Sequence, residues 1–340
     1  MNDHPHSDPH ATPWLDLLPG AGSGAGKRIV LIAGDEEYRS EEALPMLAGI
    51  LTRHGFACRV VFPIDPASGC VDPDHVGNLP GLEALADADL MIISTRFRDL
   101  PEAQMACIDT YLRSGRPLIG IRTATHAFRC ASSGAFAKYS FDSNVPGWEG
   151  GFGRRVLGEC WVAHHGQHGV EGTRGVVEPT HATHPILRGV AEVFGPSDVY
   201  TVRDLPADAQ VLLRGQVTQD LTPSSLPVTD ARNQPMMPLV WLRRHRGEDG
   251  HDNQVLCTTI GAAVDFASAD LRRLLVNACY WLTGLGKHIR SDGAVDPVDP
   301  YRPSPFGLSQ HVHGRRPIDF APNAGTSKSE KPRTTDKHRT

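Results

Sequence analysis

Four short, uninterrupted apolar runs constrain this chain more than any other feature: Ile29-Val30-Leu31-Ile32, Val60-Val61-Phe62, Leu90-Met91-Ile92-Ile93 and Leu118-Ile119-Gly120-Ile121. A strand with one wet face alternates apolar and polar residues. Runs without alternation fit strands buried on both faces, as in a parallel sheet covered by helices. Helical patterns lie between them. Leu44, Leu47, Ala48 and Leu51 recur at helical spacing up to Gly55, with Pro45 suited only to a first turn. Residues 101–112 begin with a proline fit for a helix start, put Met105, Ile108 and Leu112 on one face, and stop at Gly115. The crossover at residues 78–87 is shorter. The spacing therefore predicts an α/β fold: a doubly wound, mostly parallel sheet with flanking helices, flavodoxin-like in arrangement.

Further strands are expected at 211–213, 239–241 and 255–260, and a strong helix over 269–283 with Ser268 as its cap and Gly284 as its stop. That helix has an apolar stripe and no second sheet to cover, which points to one α/β domain over residues 21–290. A flexible segment is expected at 1–20, an extension packed on the domain at 291–320, and a disordered Ser/Thr/Lys/Pro tail at 321–340. With 40% hydrophobic residues the chain can build a core of ordinary size.

A net charge of −5 with both signs interspersed gives no basic stripe, so no nucleic-acid partner is expected. No apolar run reaches the length of a membrane span, and the first residues lack the basic-then-apolar pattern of a secretion signal. The seven cysteines are scattered, odd in number and free of CxxC spacing, which suits reduced thiols in the cytoplasm.

In an open parallel sheet, ligands bind outside the carboxyl ends of the strands. The first apolar run leads into Gly34-Asp35-Glu36-Glu37-Tyr38-Arg39, the third into Ser94-Thr95-Arg96-Phe97-Arg98, and the fourth into Arg122-Thr123-Ala124-Thr125-His126. Acids, arginines and a histidine thus meet at one edge. His126 is the candidate general acid or base, with Asp35 or Glu37 as its carboxylate partner. Arg122 and Arg96, with Thr123 and Tyr38, are candidates for binding substrate; the alternative for Arg122 is an internal ion pair with Asp35 or Glu37. A second cluster, His164-His165-Gly166-Gln167-His168, offers His165 to a substrate, or His164, His165 and His168 to a metal. The glycines there leave no rigid ligand spacing, so no metal is expected. Trp148 and Trp161 flank the cluster and could stack on a sugar ring, Trp161 being the one better suited to core packing.

Other chemistries lack their setting. No phosphate loop and no GxGxxG follow the first strand, so no nucleotide cofactor is expected. Gly150-Gly151-Phe152-Gly153 lies in an irregular region rather than between strand and helix. Where class I glutamine amidotransferases carry a nucleophilic cysteine after a strand, this chain has Arg122, which cannot attack anything.

Several of these segments together resemble the ThuA-like (trehalose utilisation) family: residues 34–42, Arg96-Phe97-Arg98-Asp99-Leu100-Pro101, residues 120–128, His184-Pro185-Ile186-Leu187-Arg188-Gly189, residues 271–278 and Tyr301-Arg302-Pro303-Ser304-Pro305-Phe306-Gly307. The resemblance implies a class I glutamine amidotransferase-like fold without its catalytic triad, and a place in sugar or keto-sugar utilisation. It also marks departures, since Arg122 stands where other branches carry a histidine, and they carry another near Ala262. The expected partner is a small sugar or keto-sugar, with a homo-oligomer left open. The chain is expected to act on or to bind that sugar, and as an enzyme it would transfer protons at a carbonyl-bearing sugar (hydrolysis, lyase cleavage or isomerisation). A non-catalytic sugar-binding or scaffold protein, and a metal-dependent hydrolase built on the histidine cluster, remain as alternatives.

Overall fold

The computed structural model describes residues 12–322. In chain order its elements are β1 (Trp14–Leu17), β2 (Arg28–Gly34), α1 (Ser40–Arg53), β3 (Ala57–Val61), β4 (Leu90–Thr95), α2 (Glu102–Arg113) and β5 (Leu118–Ile121). They continue with β6 (Thr173–Val177), β7 (Val193–Gly195), β8 (Gln210–Val217), β9 (Met237–Arg246), β10 (Asp252–Thr258) and α3 (Ala269–Leu282).

All ten strands join one mixed sheet in the order β1-β3-β2-β4-β5-β10-β9-β8-β6-β7. Strands β3, β2, β4, β5 and β10 run parallel, and β1 and the β9–β7 side run antiparallel. The parallel strands are the apolar runs, and their alternate residues feed two cores. Ile29, Leu31, Leu90 and Ile92 pack beneath α1 and α3, whereas Val30, Ile32, Met91 and Ile93 pack beneath α2. Helices on both faces are what make the uninterrupted apolar pattern necessary.

Ser268 caps α3 by accepting from the Leu271 N–H at 3.3 Å, as the sequence predicts. Pro45, however, lies inside α1 rather than in its first turn. Leu44, Leu47 and Leu51 are fully buried on the sheet, and that burial holds the helix past its missing N–H. The crossover at 78–87 holds only a 3-10 turn, Leu82–Asp87. β1 falls within the segment expected to be flexible and pairs with β3 from Trp14↔Val61 to Leu17↔Cys58. The rest of that segment, and the expected disordered tail from residue 323 on, lie outside the described residues.

Residues after α3 run back over the sheet. Tyr301 donates to the Ala263 carbonyl at 2.9 Å, the Ser304 N–H to Glu42 at 2.7 Å, and Arg39 to the Gly307 carbonyl at 2.6 Å. This last stretch ends beside the carboxyl ends of the parallel strands.

Candidate functional site

The chain proceeds from β2 outward to β3, then crosses back over β2 to β4. The carboxyl ends of β2 and β4 therefore border the crevice where such sheets bind ligands. Four loops meet there, those after β2, β4, β5 and β10. The Phe97 and Arg98 N–H groups donate to the His126 and Ala127 carbonyls at 2.9 and 2.8 Å, and the Ala263 N–H donates to the Tyr38 carbonyl at 2.9 Å. Arg39, Phe97 and Arg122 adopt left-handed backbone angles, with φ of 60°, 48° and 43°. Each costs roughly 1–2 kcal/mol for a residue with a Cβ, and such strain gathers at functional sites.

Asp35 is the staple of these loops and not a free base. It is fully buried; one oxygen accepts the Glu37 and Tyr38 N–H groups at 2.8 and 3.0 Å, and the other accepts the Thr123 hydroxyl at 2.8 Å. Thr123 is likewise buried and committed to Asp35, so neither faces a substrate.

Arg122, expected to anchor a ligand, is fully buried too. Its guanidinium is sandwiched between the rings of Tyr38 and Tyr200, at 4.1 and 4.4 Å. It donates to the Asp198 and Thr259 carbonyls at 3.1 and 2.8 Å and to the Asp198 carboxylate at 3.1 Å. Its ion pair is therefore with Asp198 and not with Asp35 or Glu37. Asp198 is brought there by Ser197, whose N–H and hydroxyl both donate to buried Asp265 beside the end of β10. Burial pushes the Tyr38 phenol up to about 12, so the ring stays neutral against the guanidinium.

Asp198 carries the rest of the site. Its two oxygens take the Nδ1 atoms of His164 and His168 at 2.6 and 3.0 Å. The carboxyl is held well below the usual range: burial opposes this, but the two imidazoles and Arg122 outweigh it. Both imidazoles remain about one-third exposed, and Nε2 of His168 lies 3.4 Å from Glu37. The hydrogen bond to Asp198 raises the His168 pKa above its ordinary 6.5, with the Asp198 and Glu37 charges adding to it. Phe306 from the C-terminal stretch packs on Tyr38 and His168, with centroids 5.4 and 5.2 Å apart. His165 points elsewhere, its Nε2 on the Arg232 carbonyl at 2.8 Å. The histidines that converge are His164 and His168, and their third partner is Asp198; the trio's ligand atoms lie within 4.8 Å of one another.

The remaining candidates divide. Arg96 pairs with Glu36 and approaches Glu37 at 3.6 Å, while buried Arg98 binds the other Glu36 oxygen at 2.8 Å. Arg96, Phe97 and Glu36 line an open hollow with Asp99, Arg129 and Cys130. His126 is only 3% exposed, enclosed by the rings of Phe97, Trp161 and Tyr200. Burial, then Arg96 and Arg122, hold its pKa well below 6.5, so it stays neutral and away from solvent.

Trp148 is not part of this edge. Its indole donates to Glu248 at 3.1 Å in the turn before β10, at the amino end of the parallel strands. Trp161 is the tryptophan beside the site, 5.7 Å from His164. The glycine-rich stretch also finds its reason: a Cβ on Gly153 would fall 1.9 Å from the Thr125 carbonyl oxygen, so only glycine lets that segment cross the turn holding Arg122.

Asp198 and Tyr200 were not singled out by sequence reasoning. The one signal was the demand of a buried arginine for a carboxylate, which does not say which carboxylate answers it.

Residues 28–282 match the family model ThuA, described as trehalose utilisation. No curated protein matches the sequence. Among solved structures, the chain is similar to a putative ThuA-like protein from Bacteroides uniformis, at 13% identity over 77% of this chain and 94% of that one, with a TM-score of 0.47. Another, from Parabacteroides merdae, has 13% identity over 87% and 99% of the two chains and a TM-score of 0.49.

Proposed function

The chain belongs to the ThuA (trehalose utilisation) family, and from that premise we propose that it works in carbohydrate metabolism on a sugar or keto-sugar held where His164, His168 and Glu37 face the crevice. The observation that carries this reading is the pair of partly exposed imidazoles on one buried carboxylate, Asp198. Nδ1 bonded to a carboxylate fixes each ring and leaves Nε2 for the substrate. With its pKa raised, His168 holds a proton near neutrality and donates it to a carbonyl oxygen. Glu37, 3.4 Å away, accepts the proton from the neighbouring carbon. The product of that step is an enediol, and reversal at the other carbon isomerises the sugar. Trp161 offers an aromatic face for the ring, and Arg96 a cation for a carbonyl or carboxylate. Arg122 is a positioning residue, acting through Asp198.

The seven cysteines, all free, support a reducing, cytoplasmic setting. Among the described residues no helix is long and apolar enough to cross a membrane.

The test is solvent-deuterium exchange at the carbon next to the carbonyl of keto-sugars, followed by proton NMR. His168→Gln should lower exchange about a hundredfold or more at unchanged folding. Because the active form carries the proton, exchange in the wild type should fall as pH rises through the raised pKa. Exchange unaffected by the variant contradicts the assignment, and binding without exchange in either protein leaves the non-catalytic reading. The close approach of His164, His168 and Asp198 favours one second reading, a divalent ion held by these three. Exchange abolished by a chelator and restored by metal would select it.

A further inference from the structure

A second cluster lies in the C-terminal stretch, apart from the residues above. His311 has a side chain only 2% exposed, and neither ring nitrogen has a hydrogen-bond partner. Buried imidazoles rarely leave both nitrogens unmatched, because each has given up its water. What faces them is acidic. Nε2 lies 3.5 Å from Asp72 and Nδ1 lies 3.9 Å from Asp74, both too far for a hydrogen bond. One ligand atom from each of the three residues falls within 4.8 Å of the others. Ligands at about 2.1 Å from a tetrahedral zinc stand about 3.4 Å apart. The Nε2–Asp72 separation matches that edge.

We propose that Asp72, Asp74 and His311 hold a divalent first-row metal ion, with zinc the best fit, which pins the C-terminal stretch to the loop between β3 and β4. Two carboxylates balance the charge of the ion, and one imidazole with two oxygens is a borderline donor set. Calcium would ask for six to eight oxygens. The carboxylates are already oriented: Asp74 accepts the Ser309 hydroxyl at 3.1 Å, and Asp72 accepts the Asp74 N–H at 3.0 Å. The ion takes one ring nitrogen, Nε2 beside Asp72, so closing the trio needs Asp74 to swing from the Nδ1 side toward Nε2, which a carboxylate about one-third exposed on a turn can do. The fourth position falls to water, with His313 close by, its ring centroid 4.2 Å from that of His311. The same two segments meet through the Val71 N–H, which donates to the Arg315 carbonyl at 2.7 Å. Because Phe306 of this stretch packs on His168, the pin also steadies one wall of the candidate site.

The test uses the full chain without an affinity tag, stripped by a chelator and titrated with zinc or cobalt. Zinc should raise the thermal midpoint by several degrees, and cobalt should give the visible absorption of a four-coordinate site. Asp72→Asn and His311→Gln should abolish both responses, and Asp72, being partly exposed, tolerates the change without unfolding. The double variant His164→Gln/His168→Gln should keep both. No response in the wild type overturns the proposal. So does a response that survives Asp72→Asn and His311→Gln, which would then belong to His4, His6 and His10 or to the Asp198 cluster.

Discussion

Replacing Arg122 with methionine should destabilise the protein by about 3–5 kcal/mol, the usual cost of stripping one partner from a buried ion pair. Arg122 and Asp198 are both fully buried, and the guanidinium fills the space between two tyrosine rings while bonding two carbonyls. Without it Asp198 becomes an uncompensated charge, shared by two imidazoles that then lose their fixed orientation. Asp198→Asn should cost a comparable amount. The double variant Arg122→Met/Asp198→Leu should cost clearly less than the two losses added, since each single change leaves the other charge stranded. Urea unfolding measures all three. A stable Arg122→Met protein that had lost only its affinity for sugar would return Arg122 to the ligand-anchoring role its sequence position suggests.

Glu41→Gln should stabilise the protein at pH 8 and leave it nearly unchanged at pH 4. Glu41 sits fully buried in the first turn of α1, and neither carboxyl oxygen has a hydrogen-bond partner. Burial pushes its pKa up from 4.5 to about 8, only partly offset by the nearness of its own backbone amide and the charge of Arg39. Between those values the unfolded chain releases the proton while the folded protein keeps it, so folding grows less favourable as pH rises through this window. The full effect is about 3–5 kcal/mol above pH 8. The difference between wild type and Glu41→Gln isolates this group from the other carboxylates. A difference that does not vary between pH 4 and 8 would mean that Glu41 is ionised in the fold.

The central strands were legible because burial on both faces leaves an apolar run that no half-exposed strand shows. β1, β6 and β7 were not: Trp14–Leu17 carries Asp16, Thr173–Val177 carries Arg174 and Gly175, and Val193–Gly195 is three residues long. β1 and β7 are the two edges of the sheet and β6 is the neighbour of β7, and all three are defined by their partners rather than by their own pattern. The strand-end loops were legible for the same reason as the strands. The division of labour within them was not, because Asp35, Arg122 and Thr123 look like exposed polar residues until the fold buries them. Asp198, the residue that organises the site, lies 76 positions from Arg122, and only tertiary packing joins them. Among the histidines, position decided: adjacent residues point apart, so His164 meets His168 while His165 turns to Arg232.

The most direct measurement is a thermal-shift panel of sugars and keto-sugars run in parallel on wild type, His168→Gln and Trp148→Phe. His168 stands at the carboxyl edge of the parallel strands on Asp198, and Trp148 stands at the opposite edge on Glu248. The expected result is a sugar that raises the midpoint of the wild type and of Trp148→Phe equally, and of His168→Gln much less. A response lost with Trp148→Phe and kept by His168→Gln would contradict the account, because it would put the sugar at the wrong end of the sheet.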